Sequence, residues 1–163
     1  MDGRRLLAIY LNDHLGGATA GIELTKRSLR SNRGSELGRF LAGLVGELEE
    51  DRQALRRVMA ALGVRPSALK QAAGVVAERV GRLKLNGRVA GYSPLSRVLE
   101  LEGLVMAVEG KLSLWEHLRE VVPAGTDVDF DALAERAQRQ QRTLTEFKLA
   151  AARHAFTGEG RDG

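Results

Sequence analysis

The stretch ELGRFLAGLVGELEEDRQALRRVMAAL, residues 36–62, decides the fold class of this 163-residue chain. Its apolar residues recur every three or four positions, which is the spacing of one face of an α-helix. Ser35 precedes the run as a candidate N-cap, and Gly63 follows it as a C-terminal stop. The pattern predicts a helix over 36–62 with a buried stripe that consists of Leu37, Leu41, Leu44, Leu48, Asp51, Leu55, Val58 and Leu62.

Four further helices are predicted from the same periodicity. Ser93 with Pro94 has the pattern of a helix start, and Asp127 or Asp129 is the expected cap of the last helix. No alternating apolar pattern long enough for a strand occurs, so the predicted fold class is all-α. The five predicted helices cover 4–30, 36–62, 67–84, 94–121 and 130–156.

The lengths of the connections predict how these helices pair. Short joints separate the first two long helices and the last two, so each pair is expected to form an antiparallel hairpin. The longer link between the hairpins contains the short helix, which at ~18 residues and ~27 Å can return the chain along the bundle. We expect a single helical-bundle domain over 1–156, followed by a disordered tail over 157–163.

Composition excludes several classes of protein. Hydrophobic residues make up 44% of the chain and charged residues 28%, which is typical of a globular domain and not of a disordered one. The absence of cysteine excludes a disulfide scaffold, a thiolate metal site and a cysteine nucleophile. The longest apolar runs end at Glu47 and Glu109, well short of the ~20 apolar residues of a membrane span. With no signal peptide recognised at the start, the expected location is cytoplasmic and no membrane partner is expected.

The net charge of +4 is concentrated in residues 70–99. We interpret this segment either as a patch for phosphate, nucleic acid or an acidic partner, or as a solvated basic linker. The linker is favoured and nucleic-acid binding is not, because no aromatic residues are interleaved with the charges. The candidate basic patch consists of Arg79, Arg82, Lys84 and Arg88.

Two hairpins joined by a long crossover resemble the ferritin-like superfamily. The stretches LNDHLGGATAGIEL (11–24) and ELEEDRQAL (47–55) are similar to ferritin-like proteins with polar residues in the middle of the first two helices. The resemblance covers 4–156 and implies a four-helix bundle with an extra short helix in the crossover. It also implies one of three roles, namely an oxygen-handling di-metal protein, a storage cage, or a bundle that has lost its metal.

The metal motif of that superfamily is incomplete in this sequence. The motif takes one Glu from each of two helices and a Glu-x-x-His from each of the other two. The second helix offers Glu47-x-x-Glu50, and the helix over 94–121 offers Glu102 and Glu109, but no Glu-x-x-His occurs anywhere. The missing motif favours a bundle without di-iron chemistry.

A polar layer is nevertheless predicted inside the bundle. Counting residues outward from the two hairpin turns places four residues at the same height in the bundle, each on the apolar stripe of its helix. They are His14, Asp51, Glu109 and Gln141. Three interpretations are open: a degenerate metal site for Fe, Mn or Zn, a hydrogen-bonded polar plug that fixes helix register, or an exposed Asp51 or Glu109. The metal interpretation uses His14, Asp51 and Glu109, assisted by Glu47, Glu50 and Glu102.

The favoured function is a non-catalytic binding or structural module that acts through a protein partner or through self-association, for example as a homodimer. An enzyme is not favoured, and no catalytic or cofactor-binding residue is assigned, because no nucleophilic motif is present. The alternatives are a metal-binding protein or metal-dependent oxidoreductase, and a phosphate or nucleic-acid binder that uses the basic patch.

Overall fold

A computed structural model describes residues 2–66, 92–123 and 126–158 of the chain. These residues form an all-α four-helix bundle and contain no β-strand, which confirms the predicted fold class. The helices are α1 (Gly3–Ser31), α2 (Glu36–Ala61), α3 (Pro94–Val121) and α4 (Phe130–Thr157).

Three predictions lie wholly or mostly outside the described residues. They are the short helix over 67–84, the disordered tail over 157–163, of which only 157 and 158 are described, and the basic patch of Arg79, Arg82, Lys84 and Arg88. The four long helices agree with their predicted ranges to within a residue or so at each end. Within the described ranges, none of the helices is both long enough and apolar enough to cross a membrane.

Capping residues define the starts of the helices, as the sequence predicts. The Ser35 hydroxyl accepts a hydrogen bond of 3.0 Å from the backbone N–H of Gly38 at the start of α2. Ser93 and Ser96 form a reciprocal capping box at the start of α3. Asp129, rather than Asp127, caps α4. Each cap satisfies a backbone N–H that has no partner within its helix, which stabilises the start by about 1 kcal/mol.

The end of α2 also follows the prediction. Gly63 adopts a left-handed conformation with φ of 67°, which favours glycine because it has no Cβ. The N–H of Gly63 donates to the carbonyl of Ala60, and the N–H of Val64 donates to the carbonyl of Met59 at 2.8 Å. This pair of hydrogen bonds is the Schellman motif, which satisfies carbonyls that the helix leaves free.

The core is built mainly from aliphatic side chains of all four helices, and it includes the single tryptophan, Trp115. Trp115 is almost completely buried and stacks on the half-buried ring of Phe130 at a centroid distance of 6.4 Å. The largest fully buried side chains are Leu11, Leu15, Ile22, Leu41, Leu44, Leu55, Met59, Leu101, Leu104, Trp115, Leu118 and Leu144.

The buried face of α3 differs from the predicted one. The prediction placed Glu109 on the apolar stripe of this helix, but Glu109 is exposed, as is the other candidate ligand Glu102. The buried face instead centres on Leu101, Val108 and Trp115. The reason is that α3 is apolar on more than one side, so that periodicity does not select a single face.

Candidate functional site: a buried charge network beside an apolar cavity

The Asp51 carboxylate is the centre of a buried charge network. Its side chain is only 3% exposed, and it projects from α2 between α3 and α4. The ammonium group of Lys111 on α3 donates to Oδ2 at 2.5 Å, and the guanidinium group of Arg136 on α4 donates to Oδ1 at 2.5 Å. Both oxygens of Asp51 are therefore bound to cations, and one carboxylate links three helices.

The network continues outward through amide and carboxylate groups. Lys111 also donates to the side-chain carbonyl of Gln140, whose NH₂ group donates to Glu47 at 2.6 Å. Arg136 donates a second hydrogen bond, of 2.7 Å, to Glu50. A buried polar group without a partner costs free energy, and a network with satisfied members fixes one register of its helices. These contacts favour the polar-plug interpretation for Asp51.

The two cations respond differently to burial. Burial lowers the pKa of Lys111, and the nearby charge of Asp51 opposes that effect without cancelling it. Burial also lowers the pKa of Arg136, but the combined attraction of Asp51 and Glu50 outweighs it and leaves this pKa raised. Asp51 therefore favours the charged form of both cations, and burial outweighs the attractions only at Lys111.

Lys111, Arg136 and Gln140 are the residues of the network that sequence reasoning missed. Lys111 lies on the buried stripe of α3, three residues after Val108 and four before Trp115. Gln140 lies on the buried stripe of α4, where the neighbouring Gln141 had been predicted. The position of Lys111 on the buried stripe could have identified it, because a buried lysine needs an anionic partner on a neighbouring helix.

The predicted layer forms only in part. Glu109 accepts a hydrogen bond from Gln141, as the level estimate predicted. However, this contact lies at the surface, so for Glu109 the third interpretation, an exposed side chain, is the one that the structure supports. Asp51 is buried as predicted, but it binds Lys111, two residues further along α3. The estimated position of the layer along α3 was thus correct to within one helical turn, while the side of α3 that was predicted to be buried was wrong.

His14 lies apart from the charge network. Its half-buried imidazole packs edge-on against the ring of Tyr10 at a centroid distance of 4.4 Å. The hydroxyl of Tyr10 is hydrogen-bonded to Nδ1 of His117 at 2.9 Å. Burial lowers the pKa of His14 below its ordinary value of 6.5, with Asp13 opposing the shift and His117 adding to it.

This shift predicts a pH dependence of stability. As the pH falls below about 6.5, the unfolded chain takes up a proton on His14 that the folded protein resists. We therefore expect the free energy of unfolding to fall until the pH reaches the lower pKa of the folded state. His14→Gln should flatten this part of the profile, measured by urea unfolding across the range. A profile in this variant that is as steep as in the native protein would contradict the assignment.

The six predicted metal ligands do not gather into one cluster. Glu102 and Glu109 are exposed on α3, and the oxygens of Asp51 are bound to Lys111 and Arg136. Across the described ranges, no group of three or more His, Asp and Glu side chains is arranged to hold a metal ion. The residues present therefore do not fit the metal centre that the resemblance implies.

A cavity of about 350 Å³ lies between α1, α2 and α3, beside the charge network. Its walls are mainly aliphatic and small side chains, among them Leu44, Leu48 and Leu55 of α2 and Ala107 of α3. The polar or charged residues that line it are Asp13, His14, Asp51, Arg52, Lys111 and Trp115.

Two side-chain contacts bracket the cavity along α1 and α3. Arg27 donates a hydrogen bond of 2.9 Å to the buried Glu100 at one end. Tyr10 contacts His117 at the other end. Arg27 lies late in α1 and Glu100 early in α3, whereas Tyr10 lies early in α1 and His117 late in α3. The cavity lies in the stretch between them.

Small residues in that stretch leave the space open. A Cβ at Gly21 would be 3.9 Å from the Cβ of Ala107, an ordinary contact. A Cβ at Gly17 or at Gly110 would have no neighbour within 4 Å. The glycines of α1 and α3 therefore do not bring the helices into close contact here, and the missing side chains account for the cavity.

Two lining residues carry buried donors that have no acceptor. The indole N–H of Trp115 and the Nε–H of Arg52 are buried, and neither has a hydrogen-bond partner among the described residues. Burying a donor without an acceptor is costly. Both N–H groups are themselves buried, so they do not face the open space of the cavity.

A shallow apolar depression lies outside the bundle, near the start of α1 and the end of α3. Leu6 and Val121 line it and are both more than half exposed. Nothing in the structure shows what covers it, so the expected protein partner or self-association stays a prediction.

Comparisons with models of protein families, with curated proteins and with solved structures found no match for this chain. What the chain does has to be inferred from the charge network and the cavity themselves.

Proposed function

We propose that this chain is a non-catalytic, ferritin-like bundle that binds a small apolar molecule between α1, α2 and α3. The observation that carries the proposal is the cavity of about 350 Å³ with mainly apolar walls. Small-molecule sites are typically apolar clefts of ~300–1,000 Å³ with a few polar groups, often between the helices of a bundle. The adjacent charge network then has a structural role, because its carboxylate and its cations bind one another.

Contacts between α1 and α2 support the first antiparallel hairpin of a ferritin-like arrangement. Lys26, late in α1, pairs with Glu49 near the middle of α2 at 3.0 Å. Asn12, early in α1, donates to the backbone carbonyl of Arg65, just beyond α2, at 3.3 Å. A later residue of α1 thus contacts an earlier residue of the α2 segment, which is the pattern of two antiparallel helices.

Contacts between α3 and α4 support the second hairpin in the same way. Lys111 on α3 contacts Gln140 on α4. One end of the pair is closed by Arg119, late in α3, which donates to Asp131 at the start of α4 at 3.0 Å. Two such hairpins and a long connection between them are what the ferritin-like proposal requires.

Binding of a neutral fluorescent apolar probe, N-phenyl-1-naphthylamine, tests the proposed function. We expect saturable binding with an increase in probe fluorescence. Gly110→Leu should weaken the affinity at least tenfold, because the new side chain occupies cavity space that is open in the native protein. Helical circular dichroism of the variant checks that the bundle remains folded.

Gly46→Leu is the matched control for this experiment. Gly46 is an exposed residue of α2 that does not line the cavity, and a Cβ there also has no neighbour within 4 Å. We expect the native affinity in this variant. Equal affinities in the native protein and in Gly110→Leu would place the probe elsewhere and contradict the proposed function.

A further inference from the structure

The cavity opens to solvent between α1 and α3. Among the described residues that line it, the exposed ones are Asp13 and Gly17 on α1 and Met106 and Ala107 on α3. The lining residues of α2 are all buried or half-buried, so α2 forms the floor of the cavity. They are Leu44, Leu48, Asp51, Arg52 and Leu55.

Contacts between α1 and α3 limit the length of this opening. At one end the hydroxyl of Tyr10 is hydrogen-bonded to His117 at 2.9 Å. At the other end a Cβ at Gly21 would be in ordinary contact with the Cβ of Ala107, at 3.9 Å. The stretch of α1 from Tyr10 to Gly21 spans about 16 Å at ~1.5 Å per residue. The opening is therefore a slot along the two helices that lies between these contacts.

Gly17 lies within this slot and leaves it open. The residue is exposed, and a Cβ at its position would have no neighbour within 4 Å. Gly110 of α3 also lines the cavity, and a Cβ there would likewise have no neighbour within 4 Å. A molecule that moves from solvent to the floor of the cavity therefore passes residues that have no side chain.

Met106 lies at the edge of the slot with most of its side chain in water. It lines the cavity and is 68% exposed. A methionine side chain is unbranched and flexible, so it can adapt its shape to a neighbouring apolar surface. Contact with an apolar molecule would remove part of its apolar area from water, which is favourable. The same movement would shield the solvent side of the bound molecule.

We propose that a ligand enters the cavity between α1 and α3, past Gly17, and that the Met106 side chain then folds over it. This inference rests on the proposed function, since it names the route into the same cavity and the side chain that closes it. Apolar molecules gain most from the closure, because a thioether offers only a weak hydrogen-bond acceptor.

The rates at which the full-length protein binds and releases N-phenyl-1-naphthylamine test the entrance. Stopped-flow fluorescence measures both rates. Gly17→Leu should slow association at least tenfold, because the new side chain stands in the slot. A side chain that merely filled the cavity would instead speed dissociation and leave association close to native. The control is Gly46→Leu, on α2 and outside the cavity, which should keep the native association rate.

The closing role of Met106 is tested through dissociation of the same probe. Met106→Ala should speed dissociation about three- to tenfold and leave association close to native, because the contacts of Met106 form only after entry. Phe156→Ala is the control, since Phe156 is 69% exposed on α4 and does not line the cavity. This control should keep both native rates.

Nuclear magnetic resonance of isotope-labelled methionine methyl groups observes the closure directly. The bound probe should give nuclear Overhauser effects to the methyl group of Met106 and should protect it from a soluble paramagnetic agent. Met59 is the internal reference, because it is buried in the core and does not line the cavity. Its accessibility to the agent should be the same with and without the probe.

The outcomes separate this inference from the proposed function. A native association rate in Gly17→Leu, with affinity still lost in Gly110→Leu, would overturn the inference and leave the apolar site standing. Native dissociation in Met106→Ala, with a Met106 methyl group that stays accessible in the presence of the probe, would also overturn it. Failure of the native protein to bind the probe would overturn both the inference and the proposed function.

Discussion

Asp51→Ala is expected to lower the free energy of unfolding by about 3–5 kcal/mol, the cost of breaking a buried ion pair by removing one partner. The loss is large because the substitution removes the anion that both Lys111 and Arg136 contact at 2.5 Å. The ammonium group of Lys111 loses the most stabilisation, since its side chain is only 12% exposed and burial already lowers its pKa. Urea unfolding, with an unchanged m-value and a lower midpoint, is the measurement.

The neighbouring residue provides the control for this prediction. Glu50 also accepts a hydrogen bond from Arg136, but its side chain is 70% exposed. Glu50→Ala should cost less than about 1 kcal/mol, as is usual for an exposed ion pair. Equal losses in Asp51→Ala and Glu50→Ala would mean that Asp51 is not the buried centre of the network.

A double substitution separates the charge effect from a simple loss of packing. Asp51→Leu combined with Lys111→Leu removes the buried anion and the cation that depends on it, and replaces both with apolar side chains. Such replacements are often neutral or stabilising, whereas each single change leaves a charge unpaired. The double variant should therefore be more stable than Asp51→Leu alone, which keeps the same side chain at position 51 and leaves Lys111 without its anion. A double variant that is less stable would contradict the electrostatic explanation.

Gly38→Ala is expected to destabilise the protein by about 1–3 kcal/mol, although alanine is the better helix former. A Cβ at this position would collide with the backbone carbonyl oxygen of Asn32 in the turn between α1 and α2. That turn cannot easily retreat, because Asn32 is buried and donates to the carbonyl of Ser28 at 2.7 Å and to the hydroxyl of Tyr92 at 3.0 Å. The midpoint of thermal or urea unfolding measures the effect.

Two glycines of the same helix serve as controls for Gly38. Gly43 and Gly46 are exposed, and a Cβ at either has no neighbour within 4 Å. Alanine at these positions should stabilise α2 by up to about 1 kcal/mol each, the difference in helix propensity. If Gly38→Ala were as stabilising as Gly43→Ala, the turn would have to be less tightly packed than described.

The parts of the fold that depend on local sequence were predictable. Ser35, Ser93 and Gly63 act on backbone groups within a few residues of themselves, so their roles follow from the order of residues alone. The same holds for the periodicity that predicts the four long helices. The choice between Asp127 and Asp129 needed the structure, because both residues lie close enough to the start of α4 to cap it.

The parts of the site that depend on contacts between helices were predictable only in part. The level of Asp51 was right to within one turn, but the partner was Lys111 and not Glu109. A face cannot be assigned on α3 from its own sequence, because apolar residues such as Met106 occur on its exposed side as well. The partner helix decides which side is buried.

The glycines show the same limit. Glycines inside α1, α2 and α3 can either allow close helix approach or leave open space. At Gly103 a Cβ would lie 3.2 Å from the side chain of Leu24, which fits close approach. At Gly17 and Gly110 there is space instead, and the result is a cavity. A missing side chain allows either outcome, and the spacing of the helices decides between them.

The most direct test of the central claim is a set of intermolecular nuclear Overhauser effects between isotope-labelled protein and bound N-phenyl-1-naphthylamine. Binding in the cavity should give contacts from the probe to the indole protons of Trp115 and to the methyl group of Ala107, since both residues line the cavity. Contacts confined to Leu6 and Val121, in the depression outside the bundle, would contradict it.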